Sequence, residues 1–312
     1  MDPDNRSYTI TPISPSIQHG EAPLWYTRRN IIYWVDTFQA TIYRLLPDEQ
    51  IQSYKIEGRD SVGFIIPVKH KDDLFLVFAD RVVYELNWPI DQQQPLKFNQ
   101  LKEIEDHKPL NQFNDGKADG KGRIWAGTLT RNSDLSVASN GGSLYLFHDN
   151  LQTCQSKIPQ TSISNGLAWS KNHQKFYFID SYTRQVREFS HNQDTGDLSD
   201  ETVILDLSHH PDIEGFPDGM TIDDDDNLWI ALFGGGHVIH LDTKTRRMIR
   251  KIQIPATYVT SAEFGGENLD VLYVTTSRLK LQHQRETTAG CLFTITNLGV
   301  RGRPPHESIY SD

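Results

Sequence analysis

Cysteine is scarce in this 312-residue chain: only Cys154 and Cys291 occur, and two cysteines so far apart form no zinc-binding pattern. The opening residues 1–11 lack the apolar core of a signal peptide, so a cytoplasmic setting is expected, in which both thiols stay reduced rather than bridged. No stretch reaches the roughly 18 uninterrupted apolar residues of a membrane span, which argues against a membrane partner. Positive charge is also in deficit. Lys and Arg number 31 against 41 Asp and Glu, a net charge of −10 that repels phosphate backbones and argues against nucleic acid. Helical periodicity is absent, and no Gly-x-Ser-x-Gly elbow supports a serine hydrolase. The joints at Gly58, Gly141-Gly142 and Gly234-Gly235-Gly236 are turns or bulges, because the helix that a phosphate loop needs does not follow them.

What the chain does have is a repeat. Six segments open on a polar residue in a short strand, at Glu21, Ser61, Asn114, Asn165, Asp218 and Ser261. About a dozen residues later each has a second strand rich in aromatic and β-branched residues, with Trp34, Phe75, Trp125, Tyr177, Trp229 and Tyr273 expected in equivalent places. A third strand follows, as in Thr41-Ile42-Tyr43-Arg44-Leu45 and Val238-Ile239-His240-Leu241; the fourth is the least legible. A period of about 40 to 53 residues with several strands in each repeat is the pattern of a propeller. A sandwich seldom repeats a motif six times, and a β-helix uses shorter repeats. The expectation is a single all-β domain over residues 1–312, a six-bladed β-propeller with an N-terminal extension of about 15 residues. Closure of the ring would have the first blade borrow a strand from the far terminus.

In a propeller the first strand of each blade lines the central channel, so the six opening residues converge on one axis. Asn-Gly and Asp-Gly taken singly are more often turns than ligands. Here Asn165 and Asp218 share a register with Glu21, which is no turn former, and two carboxylates in a narrow channel repel unless a cation neutralises them. Glu21, Asn165 and Asp218, with Asn114 acting through water, form an oxygen-donor set that suits Ca²⁺ first, then Mg²⁺ or Mn²⁺, ahead of thiol-bound Zn²⁺. His19 lies close enough to Glu21 in sequence to touch the channel mouth. The run Asp223-Asp224-Asp225-Asp226-Asn227 starts like a calcium loop, but Leu228 replaces the glycine such a loop needs, and it reads as a solvated turn. Asp36 and Asp180, each ending an aromatic strand, read as capping groups.

The stretches Gly20-Glu21-Ala22-Pro23-Leu24-Trp25, Asn114-Asp115-Gly116-Lys117, Ile163-Ser164-Asn165-Gly166-Leu167-Ala168-Trp169 and Phe216-Pro217-Asp218-Gly219-Met220 resemble the regucalcin, senescence marker protein and gluconolactonase family, its insect members most of all. The likeness runs from about Ile17 to Gly302. It implies one divalent cation, Zn²⁺ included among the candidates, on Glu21, Asn165 and Asp218, and hydrolysis of sugar lactones with Asp218 as the base that activates water. It also implies substrate contacts from Asn114, Gln112 and Asn132. Two departures stand out: Gln112 replaces the arginine usual before Phe-Asn-Asp-Gly, and Asn132 stands nearest to where an acidic residue is common after Gly127-Thr128. The expected partner is a small molecule, with the chain a monomer or weak homo-oligomer. A calcium-binding protein with little turnover is the alternative.

Overall fold

The computed structural model describes residues 7–91, 96–279 and 286–311. The described residues are strands joined by short turns and three single-turn 3-10 helices, an all-β propeller. No helix among them is long and apolar enough to cross a membrane.

Four antiparallel four-stranded sheets stand apart from one another. The first joins Gly20–Tyr26, Ile31–Asp36, Thr41–Leu45 and Ile51–Lys55 in chain order. The second starts at Val62–Pro67, the third at Asn111–Ala118 and the fourth at Ser164–Trp169. The remaining strands form one eight-stranded sheet. Its halves begin at Phe216–Ile222 and Tyr258–Gly265 and are joined by a single residue pair, Phe233 with Tyr258. Six separate sheets are therefore not what is observed, because that one pair makes the last two continuous.

The N-terminal residues are not a mere extension. Thr9–Pro12 pairs with Phe293–Thr296 and completes the last half-sheet, so the borrowed strand passes from the N-terminus to the final repeat rather than from the C-terminus to the first. Closing a ring in this way hides two sheet edges that would otherwise expose unpaired backbone.

Burial falls outward along each sheet. Second strands such as Ile31–Asp36 are buried throughout, whereas outer strands such as Arg247–Gln253 alternate between exposed residues and half-buried or buried ones. Trp34, Trp125 and Trp229 are among the largest fully buried side chains, each removing roughly 150–250 Å² from water. The first strands of successive repeats pack side by side and the last returns to the first, so their N-terminal ends surround a common axis.

Pairing across the first two strands gives the true register. Leu24, Ile65, Lys117, Ala168, Thr221 and Glu263 face Tyr33, Val77, Trp125, Tyr177, Trp229 and Tyr273. The expected aromatic set is met at Trp125, Tyr177, Trp229 and Tyr273; Trp34 and Phe75 are displaced by one and two residues. Counting back three from the inner-strand residues gives Glu21, Val62, Asn114, Asn165, Asp218 and Thr260, so Ser61 and Ser261 are each one residue out of the ring. The cause is a β-bulge in every inner strand, which inserts unpaired residues at this point and shifts the alternation of faces.

Candidate functional site

The bulges free backbone N–H groups to meet the side chains beside them. Ala22 N–H donates to Glu21 Oε2 (3.1 Å), Gly116 N–H to Asp115 Oδ1 (2.7 Å), and Gly166 N–H to Asn165 Oδ1 (3.2 Å). Asn165-Gly166 and Asp218-Gly219 are thus strand residues and not hairpin turns. Their glycines serve close approach: a Cβ on Gly166 would lie 2.7 Å from the Asp218 carbonyl oxygen, and one on Gly219 would lie 2.1 Å from Ser261 Oγ. Only glycine lets neighbouring inner strands draw this near.

Asn165 is buried and donates from Nδ2 to Ser181 Oγ (3.1 Å) and to Asp218 Oδ1. Burial raises the Asp218 carboxyl well above the ordinary range, repulsion from Asp115 adds to it, and the Asn165 bond opposes it. Glu21 is likewise raised well above the ordinary range, by burial first and then by repulsion from Asp218 and Asp115. Asp115 is pushed up to about 6 by burial, against the pull of the Lys117 ammonium. Its Oδ2 is buried with no hydrogen-bond partner among the described residues. Asp115 and Asp218 therefore repel Glu21, and Asp115 repels Asp218, with few donors to offset that repulsion. Asp115 is the member that sequence reasoning missed, although its place between Asn114 and Gly116 carried the signal.

The other expected residues lie at varied places. Asn114 Nδ2 donates to the Ser164 carbonyl oxygen (3.0 Å) across adjacent inner strands. Gln112 is buried, and its Nε2 has no partner among the described residues. Asn132 belongs to a surface turn and donates from Nδ2 to Ser136 Oγ (2.9 Å), a bond that turns it to its own loop. His19 does reach the mouth, with Nε2 3.8 Å from Glu21 Oε1 and Nδ1 2.8 Å from Ser277 Oγ.

Below the ring, Lys117 Nζ donates to Glu263 Oε2 (3.0 Å) and to the Met220 carbonyl oxygen (3.0 Å). Glu263 Oε1 accepts from Thr221 Oγ1 (2.7 Å) and from Phe264 N–H (3.0 Å). A cavity of about 690 Å³ extends from Asp115 and Lys117 to the far end of the inner strands, where Arg303, Pro304 and His306 line it.

Among the described residues no three His, Cys, Asp or Glu side chains are gathered as a ready metal cluster. The expected ligand set differs from such a cluster in counting two carboxylates and an amide. Its chemistry fits a hard divalent cation: oxygen donors, crowded negative charge and an orphaned carboxylate oxygen. One rearrangement is required. Asn165 meets Asp218 through nitrogen, and a cation takes the oxygen of an amide, so ligation turns that amide over.

Residues 19–278 match the family described as the SMP-30/gluconolactonase/LRE-like region. The chain is 34% identical over 279 residues to the putative sugar lactone lactonase YvrE of Bacillus subtilis (strain 168), covering 88% of this chain and 90% of that protein. It is 33% identical over 303 residues to regucalcin of Homo sapiens, covering 92% and 94%. Among solved structures, a luciferin-regenerating enzyme superposes with a TM-score of 0.89 at 31% identity, covering 97% of this chain and 99% of that one.

Proposed function

The chain belongs to the SMP-30/gluconolactonase/LRE-like family, and from that premise we propose that it is a divalent-metal-dependent hydrolase of lactones or related small cyclic esters. The observation that carries this reading is the set of three carboxyls, Glu21, Asp115 and Asp218, each raised above its ordinary range by burial first, with the Asn165 amide bonded to Asp218. Glu21, Asn165 and Asp218 would hold the cation, Ca²⁺ ahead of Mg²⁺, Mn²⁺ or Zn²⁺. When bound, it supplies a Lewis acid that polarises an ester carbonyl and steadies the oxyanion.

The chain's own residues supply the rest. Asp218 takes the proton of the attacking water as general base. Asn114 and Gln112 orient the substrate by hydrogen bonding. Lys117, paired with Glu263, adds a positive charge beneath the carboxyls and keeps Asp115 ionised more readily than burial alone would allow.

The same reading counts six blades, treating the Phe233–Tyr258 pair as a bridge between two four-stranded units; the closed run of six inner strands supports that count. It also places the chain in the cytoplasm, in keeping with two free cysteines. Two observations favour a second reading, a calcium-binding protein with little turnover: Asn132 is engaged in its own turn and Gln112 carries no charge. A panel of lactones assayed with Ca²⁺, Mn²⁺, Mg²⁺ and Zn²⁺ separates the two. Metal-dependent turnover of at least one lactone supports the hydrolase; tight Ca²⁺ binding without turnover of any supports the alternative.

A further inference from the structure

Above the polar ring stands a set of side chains that the metal chemistry does not use. Phe38 and Tyr182 sit in matching 3-10 turns, Thr37–Gln39 and Ser181–Thr183, each directly after an aspartate that ends a second strand. The Phe38 ring lies 4.9 Å from that of His19, the neighbour of Glu21. Tyr182 follows Ser181, the partner of Asn165, and its ring lies 5.9 Å from Phe216, two residues before Asp218. Tyr182 and Phe216 are exposed. Each of these aromatics is thus linked to an expected ligand through a neighbouring residue: Phe38 to Glu21 by His19, Tyr182 to Asn165 by Ser181, and Phe216 to Asp218 along the chain.

Arg131 enters the same collar. Its guanidinium carbon lies 4.7 Å from the centre of the Phe38 ring, and it is close enough to Tyr182 for the two to interact electrostatically. Burial lowers its affinity for its proton. Arg44, Arg123 and Arg184 each donate three or more side-chain hydrogen bonds. Arg131 donates one, from Nη1 to the Leu135 carbonyl oxygen at 3.3 Å, and its Nε is buried without a partner among the described residues. None of the ion pairs among the described residues includes it. A partly buried cation held by one neutral acceptor, with a buried Nε left over, is a poor structural element and a good receptor for an anion.

We infer that Arg131 anchors a carboxylate on the substrate, whose apolar body rests against Phe38, Tyr182 and Phe216. This deepens the hydrolase reading and rests on it: the substrate class becomes an acidic, apolar-bodied ester or lactone in place of a neutral polyhydroxylated sugar lactone. A guanidinium matches a carboxylate in shape and charge, and its place over an aromatic ring keeps it aligned.

The test uses inert probes, so that it does not depend on turnover. Phenylacetate and 2-phenylethanol share a ring and differ in charge; their binding to the full chain with Ca²⁺ present is measured by calorimetry. The parent protein is expected to bind phenylacetate at least about tenfold more tightly, as a charge-assisted hydrogen bond allows. Arg131→Gln should remove that preference while leaving 2-phenylethanol binding, Ca²⁺ affinity and melting temperature unchanged, and Arg131→Lys should restore part of it. Equal binding of the two probes by the parent, or phenylacetate affinity unchanged in Arg131→Gln, overturns the inference. Phenylacetate binding that depends on Arg131 with no lactone hydrolysed overturns the hydrolase reading and leaves the anion site standing.

Discussion

The two ends of the inner strands both bury carboxylates, and they treat them in opposite ways. At the far end, Asp223 is fully buried yet bonded on every side: Asp225 and Asn227 N–H donate to Oδ1 at 3.0 and 2.9 Å, and the Trp229 indole donates to Oδ2 at 3.0 Å. His240 Nε2 is also hydrogen-bonded to Oδ2, at 3.1 Å. Burial alone would raise this carboxyl, but the bonds from His240, Asn227 and Trp229 hold it below the ordinary range. Asp119 repeats the pattern in the third sheet, with Lys121 and Arg123 N–H, the Arg123 side chain and the Trp125 indole as donors. At the mouth, burial raises Glu21, Asp115 and Asp218, and the few bonds they accept do not offset it. A carboxylate with a full set of donors builds the fold; one left short of them is, on the proposed function, free to take a cation.

Breaking the far-end pattern should give the largest effect. Asp223→Ala strands the Trp229 indole and the His240 ring, and is expected to cost about 3 kcal/mol or more of stability in denaturant melts. A loss under about 1 kcal/mol would mean that the bonds at this end matter little. Gly219→Ala comes next, because its Cβ would meet Ser261 on the neighbouring inner strand. It should destabilise by about 1–3 kcal/mol and weaken metal binding along with it, as read by melting with and without Ca²⁺.

The comparison also sets a pH dependence. A carboxyl raised in the folded state contributes stability that is present below its ordinary value, near 4, and is lost as the pH rises through its folded value, here about 6 for Asp115. A cation that needs ionised carboxylates acts with the opposite sign. The stabilisation by Ca²⁺ should therefore grow as the pH rises and the carboxyls ionise; at a Ca²⁺ level about 100 times Kd it amounts to about 2.7 kcal/mol. A gain independent of pH would place the cation elsewhere. The smallest effect concerns substrate. If Gln112→Arg adds a charge-assisted bond made in the transition state, hydrolysis of gluconolactone-like substrates rises by roughly two- to thirtyfold in kcat/KM at unchanged metal affinity. A fall in a folded, metal-loaded variant would mean that Gln112 is matched to a different substrate.

The repeat and its polar register are legible in the sequence because inner and second strands are buried and therefore strongly patterned. Asp36 and Asp180 are legible as caps, and they accept the backbone N–H groups of Gln18 and His19, and of Ser162 and Ile163. Outer strands such as Ile51–Lys55 and Arg247–Gln253 are hard to read, since half-exposed polar residues carry little periodic signal. The bulges account for the slips at Ser61, Ser261 and Trp34, because an extra residue in one strand breaks the count of two on which alternation rests. Asp223 reads as solvated within a run of four aspartates, and only the fold reveals that Trp229 and His240 cover it. The collar of Phe38, Tyr182 and Arg131 comes from loops of different repeats, which no local pattern joins.

The central claim is that Glu21, Asn165 and Asp218 hold a divalent cation, and titration of Ca²⁺ into the parent chain and into Asp218→Asn, paired with melting in chelator, tests it most directly. One site is expected in the parent and none measurable in the variant, a loss beyond the 10–100-fold that an outer-shell partner is worth. The variant should also melt at or above the parent in chelator, because a crowded, poorly bonded carboxylate has been removed. Unchanged affinity in a folded variant, or a variant that melts well below the parent in chelator as Asp223→Ala should, would contradict the claim.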